Sequence, residues 1–350
     1  MLGFGSLVGS SSFGRKKGSG GVNKPANLFF LIVGGGHSGS PGSLNATAPG
    51  PGGPLDIRGG GGGGAGGVIT NYPGAIQGGA SPGSNIVRPQ ITDVTGTWTV
   101  SVGGDATHSF FENNTTATSA ETRQQYIAYH GGMGYYPGQG FPVTVGSGGG
   151  ALGGFDATAK PVFGSTLDNK FNGGAGFPGQ GFRGGDGNHS NPSGTGAGGG
   201  GAGGAGGDGG PNALANGGAG GAGRAYSITG TPVTYAGGGG GAAGIAPGVN
   251  IRGGPGGAGG SSIGGTGGTD AIEAHRPAST INATAGAVNT GSGGGANNRF
   301  GSSTGFGGSG VIILSHSNEY DRGVTTGSPT ITEVGGNVIY KFTGSGTITW

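Results

Sequence analysis

A three-residue glycine repeat constrains the fold of this chain more than any other feature. Residues 200–211 read GGA-GGA-GGD-GGP, and the same pattern returns in 217–223, 253–261 and 264–269. A period of three matches the polyproline II helix, which has three residues per turn and rises ~3.1 Å per residue. Two of its three faces would carry only glycine, so neighbouring backbones could approach closely and hydrogen-bond laterally. We therefore predict polyproline II helices packed side by side in an intramolecular array.

Two other structures share this kind of sequence. Collagen also repeats every three residues, but it requires an unbroken Gly-X-Y pattern rich in proline. Proline is only 19 of 350 residues here, and the repeat is interrupted, for example at 212–216. A flexible or disordered glycine-rich chain is the second alternative. The constant register of the third positions, and the apolar stretches between the repeats, favour an ordered array.

The composition limits how this chain can be stabilised. Glycine accounts for 101 of 350 residues and hydrophobic residues for 31%, so no large side-chain core is available. Backbone hydrogen bonds must then offset the conformational entropy that glycine loses on folding. The chain has no cysteine, which excludes disulfides and thiolate metal sites. A formal net charge of +2 argues against nucleic acid as the main partner.

The N-terminal sequence places its basic residues after a weak apolar stretch, which is the reverse of a signal peptide. No apolar run approaches the ~20 residues of a membrane span. We therefore expect no membrane insertion, and synthesis inside a cell with release by lysis. We interpret residues 1–24 as an arm that attaches the protein to a larger assembly or to a neighbouring copy; a floppy tail is the alternative. The arm residues expected to be buried by the partner are Leu2, Phe4, Leu7 and Phe13.

Apolar stretches between the glycine blocks predict strands. Leu28–Val33 is uniformly apolar, as in a strand buried on both faces. Gly96–Gly103 alternates, as in a half-buried strand. We predict an antiparallel β unit over 311–350, with a hairpin turn at Gly335-Gly336, whose sheet Leu28–Val33 completes. Residues 25–310 form the glycine-rich scaffold. The strands expected in the C-terminal unit are Val311–Leu314, Thr330–Val334, Val338–Phe342 and Thr347–Trp350.

An aromatic region interrupts the scaffold at 105–145. Its stretch Ala120–Tyr129 predicts the only helix. The pentapeptide PGQGF occurs at 137–141 and again at 178–182, and its Pro-Gly pair favours a type II turn. Aromatic side chains dominate binding energetics, so this region is the best candidate for a binding surface; a local cluster that caps the array is the alternative. The candidate residues are Tyr126, Tyr129, Tyr135, Tyr136, Phe110 and Phe111.

The sequence shows no pattern typical of catalysis or metal binding. The 14 acidic residues are scattered, whereas glycoside hydrolysis needs two carboxylates that face each other across the sugar. The six histidines show no ligand spacing such as H-x-x-x-H. We therefore expect no enzymatic activity, no cofactor and no metal. A polysaccharide depolymerase is the enzymatic alternative.

An ordered set of segments resembles a known family. The apolar strand closed by glycine, FFLIVGGG, is followed by GGGGAGG, GTWTVSVGG, PGQGFRGG, SITGTPVTYAGGGGG, NTGSGGG, GGSGVIIL and the C-terminal TGSPTITEVGGNVIYKFTGSGTITW. In this order they resemble the glycine-rich domain of bacteriophage tail-fibre and other virion proteins, over about 28–104 and 173–350. The chain departs from that family in residues 105–172, which are longer and more aromatic, and in its short N-terminus.

The resemblance implies a structural or adhesive role in a virion. It extends to glycine-rich adhesins of tail-fibre tips, in which polyproline II helices pack into a sandwich and present variable loops to a bacterial receptor. We expect a tail-fibre or adhesin-like virion surface protein that binds a host-surface glycan or protein. Its N-terminal arm would bind other virion proteins or neighbouring copies, and the chain would form a homo-oligomer. The alternative is a capsid decoration or a self-assembling fibril subunit with a purely structural role.

Overall fold

The computed structural model of the chain describes residues 22–45, 56–79, 88–113, 124–134, 145–152, 172–188, 194–211, 215–244, 254–269, 282–298 and 304–350. Several sequence predictions fall outside these residues. They are the arm residues Leu2, Phe4, Leu7 and Phe13, the candidate binding residues Tyr135 and Tyr136, and the first copy of PGQGF.

The described residues form antiparallel sheets and contain no α-helix, which confirms the prediction of a mainly β fold. Residues Gly260–Ser262 form a short 3-10 turn. The strands are β1 (Phe29–Val33), β2 (Ser43–Asn45), β3 (Asp56–Arg58), β4 (Val68–Thr70), β5 (Thr97–Ser101), β6 (Ser109–Asn113), β7 (Gln125–Ala128), β8 (Arg224–Tyr226), β9 (Val233–Tyr235), β10 (Val311–Ser317), β11 (Val324–Thr325), β12 (Thr330–Val334), β13 (Asn337–Phe342) and β14 (Gly346–Thr349).

The first five-stranded sheet has the order β12-β13-β10-β1-β4. Strand β1 pairs along its whole length with β10, so Phe30 lies opposite Leu314 and Leu31 opposite Ile313. Successive residues of β1 point to opposite faces, and both faces are covered. Phe30 belongs to one hydrophobic core and Leu31 to a second core on the other side of the sheet. The prediction that Leu28–Val33 is buried on both faces is confirmed.

The second five-stranded sheet, with the order β11-β14-β5-β6-β7, packs on the first to form a β-sandwich. Its strand β5 alternates as predicted, with Trp98 and Val100 buried and Thr97 exposed. The ring of Trp98 stacks on that of Phe111 from β6, with ring centroids 4.6 Å apart. The sandwich core is therefore built from the few large apolar side chains that this chain has.

The C-terminal strands are divided between the two sheets. Strands β12 and β13 form the predicted hairpin, in which Gly335 and Gly336 have φ of 58° and 79°. Two central residues with positive φ are the geometry of a type I′ turn. Strand β14 instead pairs with β5 of the second sheet. The predicted antiparallel pairing is present, and the expected partnership with Leu28–Val33 is confirmed, but residues 311–350 do not form a separate sheet.

The predicted helix over Ala120–Tyr129 is wrong for the part that the structure describes. Residues Gln125–Ala128 form strand β7, which pairs with β6 so that Phe111 lies opposite Tyr126. Helix-forming residues favoured the helix, but intrinsic propensity is a weak preference that tertiary contacts override. Here the pairing with β6 satisfies the backbone, and it buries Ala128 in the sandwich core.

The glycine segments form an array in which hydrogen bonds run between segments. The central segment, residues 59–67, donates in a three-residue rotation from which only Gly61 departs. Its first set of donors, Gly59, Gly62 and Ala65, bonds to Gly194, Ala197 and Gly200, and its second set, Gly60, Gly63 and Gly66, bonds to Asn297, Gly294 and Gly291. The third set, Gly61, Gly64 and Gly67, bonds to the Ser40 hydroxyl, Gly132 and Tyr129.

The carbonyls of the central segment accept hydrogen bonds from the N–H groups of three segments. They accept from Ser40, His37 and Gly34 on one segment, from Gly150 and Ser147 on a second, and from Ala242 and Gly239 on a third. Gly60 and residues 62–65 thus donate to one segment and accept from another, whereas Gly61 both donates to and accepts from Ser40. The lateral bonding expected from the sequence is present, and it forms within one chain.

Close approach explains why the centre of the array is almost pure glycine. A Cβ placed on Gly62, Gly63 or Gly64 would lie 2.1, 1.9 or 2.2 Å from the nearest carbonyl oxygen of a neighbouring segment. At the centre of the array, none of the three positions of the repeat therefore has room for a Cβ atom. At the periphery, every third residue is exposed, as at Ala205 and Asp208, and these are the positions at which the repeat admits other residue types.

Array and sandwich are continuous. Strand β1 runs directly into Gly34–Gly36, and the central segment runs directly into β4. We call this side the sandwich end of the array. The opposite side, the distal end, is marked by five residues joined in one chain of hydrogen bonds: Gly196 donates to Ala242, Ala242 to Gly60, Gly60 to Asn297, and Asn297 to Ser40.

Candidate functional site

The structure removes Phe111 from the candidate binding residues. Its side chain is fully buried and stacks on Trp98 inside the sandwich. A ring in this position contributes to the core and has no surface to offer a ligand. The neighbouring Phe110 points the other way from β6 and is half-buried, opposite Ile127 in the strand pairing.

Tyr126 is partly buried at the edge of the sandwich core. Its ring lies 4.8 Å from that of Phe30, centroid to centroid. Burial raises the pKa of the Tyr126 hydroxyl, and the nearby positive charge of Arg88 acts against this rise. Burial in turn lowers the pKa of Arg88, while Tyr129 and Tyr126 act to raise it. Arg88 is therefore electrostatically close to both described candidate tyrosines.

Tyr129 follows β7 and contacts two other rings edge to face. The ring centroids are 5.2 Å from His108 and 5.0 Å from Phe177. Its backbone is held by the buried side chain of Gln180, whose Oε1 accepts from the Tyr129 N–H at 2.8 Å and whose Nε2 donates to the Ile127 carbonyl at 3.0 Å. Gln180 thus covers the outer edge of strand β7.

The second PGQGF copy supplies this glutamine. The Gln180 N–H donates to the Phe177 carbonyl at 3.0 Å, and Gly179 has φ of 78°. Pro178 at the second position and a positive φ at the third define the predicted type II turn, which is confirmed for this copy. The turn lies at the sandwich end of the array and aims Gln180 at β7.

Together these residues make a mixed aromatic surface. We define the tyrosine surface as Arg88, Tyr126 and Tyr129 with the adjoining rings of His108 and Phe177. Half-buried aromatic faces beside a guanidinium can stack on sugar rings and can pair with anionic groups. The structure therefore places two of the six predicted residues, Tyr126 and Tyr129, where both interact electrostatically with Arg88.

A cluster of histidines adjoins this surface, and no pattern in the sequence indicates it. His108 stacks on His130 with ring centroids 4.7 Å apart and an interplanar angle of 19°, and His37 lies 6.1 Å from His130. The three come from the turn after β5, the residue after Tyr129 and the segment after β1. The pairing of β6 with β7 brings His108 to His130, and the register of the array brings His37 to His130.

The ring nitrogens of this cluster have defined partners. Nδ1 of His37 lies 3.2 Å from the Ser38 carbonyl, and Nδ1 of His130 lies 2.6 Å from the Gly131 carbonyl. A carbonyl only accepts, so both Nδ1 atoms carry the proton. Nδ1 of His108 instead accepts from the backbone N–H of His130 at 3.0 Å. Burial lowers the pKa of His37 and of His108, and the neighbouring His130 lowers both further.

None of the histidine and carboxylate clusters among the described residues is arranged to hold a metal ion. A shallow groove of about 520 Å³ lies between the turn after β10 and the β12–β13 hairpin. It contains the exposed ion pair of Arg322 and Glu333, with a nitrogen–oxygen distance of 2.6 Å. Within the same described residues, no helix has the length and apolar character needed to cross a bilayer.

An antiparallel β-sandwich continued by a laterally hydrogen-bonded glycine array is thus the structural class of this chain. Comparison with protein-family models, with curated proteins and with solved structures finds no match to the chain.

Proposed function

We propose that the glycine segments are polyproline II helices and that their array is a rigid scaffold. The three-residue rotation of hydrogen bonds around residues 59–67 supports this, because a helix with three residues per turn presents the same face every third residue. Gly259 supports it as well, with φ of −70° and ψ of 145°, close to the polyproline II values of about −75° and +145°.

We propose further that the protein is a non-enzymatic surface component of a bacteriophage virion, tail-fibre-like or adhesin-like, that attaches to the host surface. The carrying observation is the tyrosine surface, in which Tyr129 contacts the rings of His108 and Phe177 and lies electrostatically close to Arg88. This surface lies at the sandwich end of the rigid scaffold. Aromatic side chains held in place by a rigid scaffold suit recognition of a ligand.

The receptor in this proposal is a glycan or protein of the bacterial surface. The proposed contacts are the tyrosine surface, through Tyr126 and Tyr129, together with Phe110, Tyr135 and Tyr136. The N-terminal arm, residues 1–24, attaches the protein to other virion proteins or to a neighbouring copy.

One observation favours the structural alternative, a capsid decoration or self-assembling fibril subunit. Strand β12 is the outer strand of its sheet, and all five of its residues are exposed. An exposed edge strand can pair with a strand of another chain. The substitution Ile331→Lys, at the second residue of this strand, would block such pairing by charge.

A binding experiment separates the two roles. Fluorescently labelled protein is titrated onto a panel of bacterial cells, and its oligomeric state is measured by light scattering. The attachment role predicts saturable binding to at least one strain. It also predicts a loss of about tenfold or more in affinity for the double variant Tyr135→Ala/Tyr136→Ala, because truncating an aromatic anchor costs about 2 kcal/mol or more. That variant should remain folded.

The matched control is Tyr320→Ala, which removes a half-buried tyrosine from the turn after β10, in the C-terminal part of the chain. It should bind as the wild type does. Binding that is unchanged in the double variant would remove Tyr135 and Tyr136 from the site. Assembly without binding to any strain, abolished by Ile331→Lys, would favour the fibril subunit.

A further inference from the structure

The hydrogen bond between His130 and His108 is compatible with only one protonation state. The N–H of His130 donates to Nδ1 of His108 at 3.0 Å, so this nitrogen must present its lone pair. In neutral histidine the other nitrogen, Nε2, then carries the proton. Nδ1 is the only ring position left for a second proton, and a proton there would face the His130 N–H directly.

The turn that carries His108 is docked on the array by backbone hydrogen bonds and by the side chain of Asp105. The N–H of Ala106 donates to Gly36 at 2.8 Å, and the N–H of Gly35 donates to Thr107 at 3.0 Å. The side chain of Asp105 on the same turn accepts from the Ser38 hydroxyl at 2.7 Å and from the Gly307 N–H at 3.2 Å. These contacts join the β5–β6 turn to two array segments at the sandwich end.

The charged and titratable groups around His108 are few. His130 stacks on its face and Tyr129 contacts it edge to face, while His37 lies 6.1 Å from the His130 ring. Asp105, on the same turn as His108, interacts electrostatically with His37, and Arg88 does so with Tyr129. A positive charge on His108 therefore lies against a second imidazole ring, which disfavours protonation of His108.

We propose that His108 is an acid-sensitive latch that holds the β5–β6 turn on the glycine array when neutral and releases it when protonated. Tyr129 lies against His108, so release also frees a tyrosine of the proposed receptor surface. This last consequence rests on the proposed function, whereas the latch itself does not.

The direction in which docking of the turn changes with pH follows from proton linkage. The docked turn favours neutral imidazoles, and the lowered pKa of His37 and of His108 agrees with this. The docked state binds fewer protons than the released state as the pH falls below the ordinary histidine pKa of about 6.5. Docking is therefore complete above that pH, and it weakens as the pH falls through it.

Amide hydrogen exchange followed by NMR tests the latch in the full chain. Protection factors remove the pH dependence of exchange in free peptides, so they report opening alone. Between about pH 8 and about pH 5, the range over which histidine changes charge, we expect protection at Gly35, Ala106 and His130 to fall. A fall of about tenfold corresponds to one pKa unit. Gly62 and Gly63, inside the array, serve as internal controls and should keep their protection.

Two variants identify the group responsible. His108→Asn keeps an acceptor where Nδ1 stands but cannot take up a proton, so protection at His130 should no longer depend on pH. His108→Ala removes the acceptor and should leave the turn open at both pH values. Equal protection of the wild type at both pH values would overturn the proposal, as would an acid loss that persists unchanged in His108→Asn. None of these measurements involves a receptor, so a failure of the latch is distinguishable from a failure of the proposed function.

Discussion

Substituting one central glycine by alanine tests the idea that backbone contact holds this protein together. In Gly63→Ala, the added Cβ would lie 1.9 Å from the His37 carbonyl oxygen and 2.7 Å from the Ser38 carbonyl oxygen. Both obstacles are backbone atoms, so no side-chain rotation can relieve the clash. The segment that contains His37 must move away from the central segment.

The size of the effect follows from the bonds that this movement breaks. Three backbone bonds join the His37 segment to the central segment: Gly34 to Gly67 at 2.9 Å, His37 to Gly64 at 3.0 Å, and Ser40 to Gly61 at 2.9 Å. A typical intramolecular hydrogen bond contributes about 1 kcal/mol net, which gives a loss of about 3 kcal/mol. Alanine also stabilises by about 0.4–1 kcal/mol through the unfolded chain. We therefore expect the free energy of unfolding to fall by about 2–3 kcal/mol.

Urea denaturation of the variant measures this loss, and two other glycines provide matched controls. At Gly204, within an outer array segment, the nearest atom to an added Cβ is 3.5 Å away, and at Gly344 no atom lies within 4 Å. Gly204→Ala and Gly344→Ala should be neutral or slightly stabilising. If Gly63→Ala were as stable as these two, close backbone packing would not be what selects glycine at the centre of the array.

Two further predictions concern the sandwich end. Gln180→Ala leaves the Tyr129 N–H and the Ile127 carbonyl without their partners, so urea denaturation should show that the free energy of unfolding falls by about 2 kcal/mol. The control is Gln125→Ala, which removes an exposed side chain. An equal effect of both substitutions would contradict the edge-covering role of Gln180. Stability should also decrease with acid, because burial lowers the pKa of three histidines, and the unfolded chain takes up protons below about pH 6.5 that the folded chain excludes. A urea midpoint at about pH 5.5 that equals or exceeds the midpoint at about pH 7.5 would contradict this. The three histidines are His37, His108 and His316.

The sequence predicted the parts of the fold that carry side-chain patterns. The uniform apolar run of Leu28–Val33 and the alternation around Trp98 each identified a strand, since burial on two faces or on one face leaves a different pattern. The hairpin at Gly335-Gly336 was readable because a two-residue turn demands positive φ. The helix predicted over Ala120–Tyr129 is wrong at Gln125–Ala128, because the local composition does not show that β6 will pair with these residues.

The candidate site was less accessible to sequence reasoning. Phe111 and Tyr126 lie opposite each other on paired strands, yet one is in the core and the other at its edge. Aromatic composition does not distinguish them, although the strand pairing does. The histidine cluster depends on which glycines lie side by side, and Gly36 and Gly131 look the same in sequence as any other glycine.

That degeneracy raises the question of what fixes the register of the array. A slip of one segment by three residues would replace each glycine contact with an equivalent one, so the glycine bonds alone do not select among registers. The selection must come from the positions that are not glycine. Ala65 and Ala202 are fully buried in the core that β1 and β10 share with the array, and the Ser40 hydroxyl accepts the Gly61 N–H at 2.8 Å. A slip of either segment would carry its alanine methyl group out of that core, and a slip of the central segment would also separate the Gly61 N–H from the Ser40 hydroxyl. The small side-chain core therefore selects the register of the array, while the backbone hydrogen bonds hold its segments together.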